Sequence, residues 1–316
     1  MTGMWSRRIG PARDVPADAG TGTGTGAGAA RLAHAATAAA MVATEATEAT
    51  VAPRVRIFRI CHKVDGQHMN RGMFSDLMLG EHDAADGSYL GDLGGVNIAG
   101  LNEHSEMRAH YHVWKSRLED VDYVGFEHYR RLIFLDFMAY DEMGAADEAL
   151  PMARLHFMRH AGAECLTGPF AFDRYLAFRR AMTDAQAQGL AAFVGGYDII
   201  ALRPQKLRVR DQMDDGAFKL LEAAVRNAAY FRTRRMLIDF DNDMTCYRSM
   251  FVMTRACFDE YMGFWWDVIG FIARNRACPP RSLGYFSERI FALYLFQKRM
   301  ESPMLRILFV PYLIPS

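Results

Sequence analysis

The chain has 316 residues, 51% of them hydrophobic, with 37 basic residues against 37 acidic ones. That is enough apolar material for a large core, and the balanced charge provides no global field to steer the protein toward nucleic acid. Cys61, Cys165, Cys246, Cys257 and Cys278 are scattered, odd in number and without a CxxC pair, which argues against a disulfide scaffold or structural zinc and for a reducing cytoplasm.

Gly20 to Ala30 reads GTGTGTGAGAA, and the residues that follow to Thr50 are almost entirely Ala, Thr and Glu. Such a stretch buries too little surface to offset its ordering entropy. Residues 1–52 are therefore expected to be a disordered tail and 53–316 a single α/β domain. Arg54 to Cys61 alternates and is β-rich, a strand that ends in the polar His62 and Lys63. His68 to Gly100, with Gly80, Gly87, Gly91, Gly94 and Gly95, reads as loop. Asn102 is placed to cap a helix to Arg117, in which Met107, His110, Tyr111 and Trp114 recur at helical spacing.

Tyr123 to Phe126 is a second strand, and it stops in Glu127, His128, Tyr129, Arg130 and Arg131. Ala171 to Phe193 reads as one long helix, Tyr197 to Leu202 and Cys246 to Met253 as buried strands, and Cys257 to Ala273 and Tyr285 to Met300 as helices. Strands alternating with helices predict a mostly parallel sheet flanked by helices on both faces. The apolar runs Phe264 to Ile272 and Ile307 to Ile314 are interrupted by Asp267 and Pro311 and fall short of the roughly 20 residues a span requires. They read as core, with contact at a membrane surface as the functional alternative.

In open α/β folds, ligands bind beyond the carboxyl ends of the strands. His62 and Lys63 end the first strand there, and the adjacent Arg130 and Arg131 suit an anion, because guanidinium pairs bidentately with phosphate. No Asp-x-Asp closes a strand at this edge, although Asp239-Phe-Asp241 and Asp241-Asn-Asp243 match that pattern elsewhere. Two solutions stay open for a diphosphate. Glu127 and His128 ligate a divalent cation (Mn²⁺ or Mg²⁺), or Arg130 and Arg131 replace it; fixed positive charge favours the second. Glu106, one turn into its predicted helix, either stabilises the dipole or faces the cleft, and Glu288 either stabilises a helix start or serves as general base. At a helix start the dipole would lower the Glu288 pKa and weaken it as a base. His104, His110 and His112 read as surface or packing residues. Walker, Gly-x-Gly-x-x-Gly and Gly-x-Ser-x-Gly motifs are absent, which weakens kinase, dehydrogenase and serine-hydrolase readings.

Five blocks carry a resemblance: Asp92 to Asn102, Ser105 to Lys115, Asp122 to Arg131, Tyr247 to Met253 and Gly284 to Arg289. In this order they resemble a bacterial capsule and exopolysaccharide biosynthesis family, long catalogued as a domain of unknown function and grouped with GT-A-type glycosyltransferases. Val96, Ala99 and Ser249 stand where that family has Asp, Ser and Asn. The resemblance implies a GT-A-like fold and transfer from a nucleotide-sugar donor, UDP-linked, to a saccharide or lipid-linked acceptor, at the inner face of the cell membrane. The donor-binding candidates are His62, Lys63, Asp92, Asn97, Asn102, His128, Tyr129, Arg130, Arg131 and Arg289. Glu288 is the first catalytic candidate, followed by Glu106 and Asp243. The alternatives are an inactive nucleotide- or sugar-binding partner in an assembly complex and a metal-dependent phosphoester hydrolase.

Overall fold

The structure is a computed structural model that describes residues 52–63, 68–135, 165–167, 169–234, 238–242, 244–276, 278 and 281–315. The expected tail, apart from Ala52, and Asp243 lie outside the described residues. In chain order the elements are β1 (Val55–Cys61), β2 (Asn70–Arg71), β3 (Phe74–Met78), β4 (Leu90–Gly91), α1 (Met107–Ser116), β5 (Tyr123–His128), β6 (Leu132–Ile133) and β7 (Cys165–Thr167). Then follow α2 (Pro169–Ala181), α3 (Asp184–Gly195), β8 (Ile199–Leu202), β9 (Gln205–Lys206), α4 (Asp215–Asn227), α5 (Ala229–Arg234), β10 (Met244–Thr245), β11 (Phe251–Thr254), α6 (Arg255–Asn275), α7 (Ser282–Glu301), β12 (Ile307–Val310) and β13 (Tyr312–Ile314).

The main sheet runs β12-β8-β11-β5-β1-β3-β2, with β4 on β3. β1 pairs parallel with both β3 and β5, β3 with β4, and β8 with β12, while β11 runs antiparallel between β5 and β8. A Cβ on Gly125 would stand 2.7 Å from Val252 Cγ2, so only glycine lets β5 lie this close to β11. One face of the sheet, with Phe58, Ile60 and Phe126, packs on α1, α4, α6 and α7. The other, with Ile57 and Phe74, packs on α2 and α3 and on the small sheet β6-β13-β7. The expected mostly parallel sheet with helices on both faces is thus the observed one.

Several boundaries differ from expectation, each for a local reason. Within the expected loop 68–100 lies β3, fully buried, parallel to β1 and carrying Asp76 at its centre. Arg59 of β1 is directly opposite and donates from Nε and Nη2 to the two Asp76 oxygens, both at 2.6 Å. The expected helix from Asn102 is broken at Ser105 (φ 53°): Asn102 opens a short 3-10 turn, caps nothing, and α1 starts after Glu106. The expected single helix 171–193 is two, because Thr183 and Gln186 form a reciprocal capping box. The strand expected from Cys246 begins only at Phe251, since Arg248 and Ser249 are left-handed (φ 77° and 46°). Ile307 to Ile314 is two strands divided at Pro311.

Arg59 is also opposite Glu127 of β5. Glu127 accepts from Arg179 of α2 at 2.5 Å through Oε1 and from the Ile133 amide at 3.1 Å through Oε2. Arg179 donates onward to the Ile133 carbonyl at 2.7 Å and lies over the rings of Phe74 and Tyr175. Asp76, Arg59, Glu127 and Arg179 are all buried, so charges of alternating sign cross three strands and reach the covering helix. Removing one member of a buried pair strands its partner at a cost of about 3–5 kcal/mol. Arg179→Met should therefore lower the unfolding free energy by about that amount, whereas Glu127→Leu/Arg179→Met should cost clearly less. Urea denaturation of the parent, the single and the double variant checks this, and a double variant no better than the single refutes it.

Candidate active site

β1, β5 and α1 bring His62, Glu106 and His128 together, with their ligating atoms within 4.8 Å of one another. Glu106 Oε1 is 3.0 Å from His128 Nε2 and 3.5 Å from His62 Nε2. The period of a strand places successive residues on opposite faces. His128 therefore faces α1 while Glu127 points to Arg179, and the two cannot share a cation as the sequence suggested. The Arg130 amide donates to His128 Nδ1 at 3.1 Å. That nitrogen keeps its lone pair, so in the neutral ring the proton sits on Nε2 and is donated to Glu106. Burial alone would raise the Glu106 pKa, but hydrogen bonds from His128 and His62 outweigh it and hold the carboxylate well below the usual range.

This donor set does not fit Mg²⁺. It offers two imidazole nitrogens and one carboxylate where that ion prefers several oxygens. Among the described acidic-run residues, Asp239 and Asp241 are exposed, bond to one another at 2.9 Å, and Asp241 lies 4.0 Å from Arg210.

A second carboxylate enters from α7. Glu288 Oε1 accepts the Arg248 amide at 3.1 Å, and Oε2 accepts from Arg289 Nη1 at 2.8 Å. Glu288 stands in the second turn of α7, not at its start, so the helix dipole does not govern it. Burial raises its pKa, Arg289 and the Arg248 amide oppose the rise, and nearby Glu106 adds to it. The expected lowering is reversed, and Glu288 is the stronger base for it. His110 joins the two halves: its Nδ1 is 3.2 Å from the Glu106 carbonyl and its Nε2 3.2 Å from the Ser249 carbonyl. Burial keeps this ring neutral, lowering its pKa to about 4. His104, His110 and His112 are all buried packing residues; none is on the surface.

Tyr129 packs between His62 and His128, with centroids at 5.9 and 4.4 Å, and donates its amide to Ile60. The Arg130 guanidinium lies 4.8 Å over the Tyr129 ring. Neither Arg130, exposed, nor Arg131, half-buried, has a carboxylate partner among the described residues. Lys63 is exposed beside His62. Asp92, Asn97 and Asn102 stand apart from this cluster. Asp92 is fully buried and accepts the Gly80 amide at 2.6 Å, Asn97 bonds within its own loop, and Asn102 accepts from Arg108 at 3.1 Å. Arg248 was missed as a site residue. Its guanidinium stacks 4.5 Å over Tyr312, which pairs with Ile133 just beyond the Arg130-Arg131 turn.

The polar cluster closes the carboxyl ends of adjacent parallel strands, the edge at which open α/β sheets generally bind their ligands. Residues 56–299 match the sequence profile described as Domain of unknown function (DUF4422), and the chain belongs to that family. No match is found among curated proteins. The fold is similar to the apo structure of the WbbM bifunctional glycosyltransferase, with a TM-score of 0.58 and 20% identity over 83% of this chain and 45% of that one. The chain thus spans less than half the length of that protein, and the likeness is one of fold. No helix among the described residues is long and apolar enough to cross a membrane.

The two carboxylates should respond to pH in opposite directions. Glu288, with its folded pKa raised, contributes stability that is full below the unfolded pKa and is lost as pH rises through the folded value; Glu106, with its pKa depressed, contributes stability that is present above the unfolded pKa and lost as pH falls through the folded one. As pH rises above about 4, Glu288→Gln should gain stability relative to the parent, while the deficit of Glu106→Gln should stay level there and shrink only as pH falls below about 4. Melting temperatures on both sides of about pH 4 decide the point, and a Glu106→Gln deficit that does not shrink in acid, or a Glu288→Gln variant that gains nothing toward neutral pH, would be the contrary result.

Proposed function

We propose that the protein is a glycosyltransferase that moves a sugar from a nucleotide-sugar donor, UDP-linked, to a hydroxyl of a saccharide or lipid-linked acceptor in cell-surface polysaccharide biosynthesis, at the cytoplasmic face of the membrane. The observation that carries this reading is a half-buried carboxylate, Glu288, with a raised pKa and close to Glu106, whose cluster stands at the same carboxyl edge of β1 and β5 as Arg130 and Arg131, in a fold similar to that of a glycosyltransferase. Arg130 and Arg131 bind the diphosphate. Glu288 takes the proton of the acceptor hydroxyl. The acceptor oxygen bonds to the anomeric carbon, the bond from that carbon to the phosphate oxygen breaks, and its electron pair leaves with the nucleoside diphosphate. Preorganised guanidinium charge then stabilises the leaving group without reorganisation. Glu106, held ionised by two imidazoles, is too weak a base for the proton and instead keeps His62 and His128 in place.

Loss of a charge-assisted bond to phosphate weakens binding by about ten- to a hundredfold. Arg130→Ala and Arg131→Ala should each weaken UDP binding to this extent in calorimetry while leaving the fold intact. Glu288→Gln should bind UDP as the parent does and lose about 10²–10⁴-fold in transfer, the usual worth of a general base. Parental UDP affinity in both arginine variants removes the clamp, and parental turnover in Glu288→Gln removes the base.

A further inference from the structure

Helix α7 passes the site with one face almost wholly committed to packing, yet Tyr285 on it is 60% exposed. Residues three and four apart share a helix face, with Cβ atoms about 5–6 Å from each other. Tyr285 therefore lies one turn from both Glu288 and Arg289, and Arg289 Nη1 bridges the Tyr285 carbonyl at 3.0 Å and the Glu288 carboxylate at 2.8 Å. The position of the ring is set by its neighbour. A Cβ on Gly284 would stand 3.0 Å from Ser105 Cβ, so the absence of a side chain there lets α7 seat against the turn that leads into Glu106.

The same turn gathers further apolar surface. Leu101 is 41% exposed, and its carbonyl accepts the His104 amide. Trp266 is 37% exposed and packs on Tyr111 at 4.7 Å and His104 at 6.5 Å. Large side chains left in water cost solvation free energy, and when they collect beside a polar cleft they mark a binding surface. Here an exposed phenol ring stands next to a carboxylate and a guanidinium, a combination that offers one apolar face and several hydrogen-bonding groups.

We infer that Tyr285 is the stacking platform for the acceptor saccharide, with Arg289 and Glu288 engaging its hydroxyls. This inference rests on the proposed transferase reading and deepens it. Two arguments select a saccharide. A sugar ring presents C–H groups on its faces and hydroxyls at its rim, which match an aromatic face flanked by charged donors and acceptors. A hydroxyl that surrenders its proton to Glu288 must also belong to a ring lying about one helical turn away, where Tyr285 is. Tyr285 and Arg289 thereby set which hydroxyl reaches Glu288.

The test uses the full chain and two sets of probes: UDP, and a panel of lactose, N-acetyllactosamine, maltotriose, chitotriose and methyl glycosides, titrated by calorimetry and ligand-observed NMR with and without UDP. Tyr285→Ala should weaken saccharide binding by about tenfold, the size of an aromatic contact, and leave UDP binding unchanged. Tyr285→Trp should retain saccharide binding, because it keeps an aromatic face. Saccharides that bind Tyr285→Ala as they bind the parent overturn the inference while the transferase reading stands on UDP. A parent that binds UDP but none of the panel likewise overturns it. Saccharide binding that depends on Tyr285 in a protein that ignores UDP sustains the platform and sinks the transferase reading. Failure of both ligands removes both. If Tyr285→Ala instead reduces co-sedimentation with vesicles of anionic phospholipid and leaves saccharide binding unchanged, the patch is a membrane contact and the inference falls.

Discussion

The row of buried charge from Asp76 through Arg59 and Glu127 to Arg179 constrains everything around it. Arg59 occupies the middle strand of the parallel section, with an acid opposite it on each side in the register. Buried ion pairs are weak evidence of net stability, because desolvation offsets most of the attraction. Their stronger effect here is on register. Side chains alternate with period two, so a slip of one residue in β1 would move Arg59 into the apolar layer of Phe58 and Phe126 and leave Asp76 and Glu127 unpaired. The penalty for that slip far exceeds what any single apolar contact could impose. The same row anchors the turn after β5, since Glu127 and Arg179 together hold both the amide and the carbonyl of Ile133.

This anchoring explains how one strand end serves two purposes. Glu127 is spent on architecture, facing α2, and its neighbour His128 faces α1 and the cluster with Glu106 and His62. The intervening turn is closed by reciprocal amide bonds between His128 and Arg131, and the Arg130 amide caps the imidazole. Two guanidinium side chains are thus presented from a rigid turn and not from a free loop. The proposed diphosphate clamp would need little reorganisation on such a turn, the condition under which fixed charge is most effective.

Much of this was legible in the sequence, and the failures share a cause. β1, the apolar part of β5, β8, α6 and α7 follow the period and burial rules, so their residues announce them. β3 does not, because Asp76 and Ser75 interrupt its apolar pattern; the strand makes sense only once Arg59 is known to be opposite. The polar block after Phe126 was readable as a site wall, yet the separation of Glu127 from His128 depends on the strand continuing two residues further. Asp92 and Asn97 carry a recognisable pattern, but the bonds of Asn97 stay within its own loop and Asp92 Oδ1 is taken by the Gly80 amide. Arg248 could not be found from sequence, because nothing in the run from Cys246 to Met253 signals two consecutive left-handed residues. The Thr183 and Gln186 capping box is itself readable in the sequence, since the spacing is a recognised helix start.

The left-handed pair Arg248 and Ser249 brings the two halves of the site into one thermodynamic unit. Each such residue costs of order 1–3 kcal/mol and persists only where its surroundings overdetermine it. Glu288 holds the first through its amide, and His110, buried and anchored on the Glu106 carbonyl, faces the carbonyl of the second. An amide bonds more strongly to an ionised carboxylate than to a neutral one. The ionisation of Glu288 and the geometry of the turn are therefore linked: whatever protonates Glu288 also loosens the contact that holds Arg248 in its strained conformation. A carboxylate raised by burial, close to a second that two imidazoles hold ionised, is the arrangement in which such linkage is felt, because the two groups are shifted in opposite directions and do not titrate together.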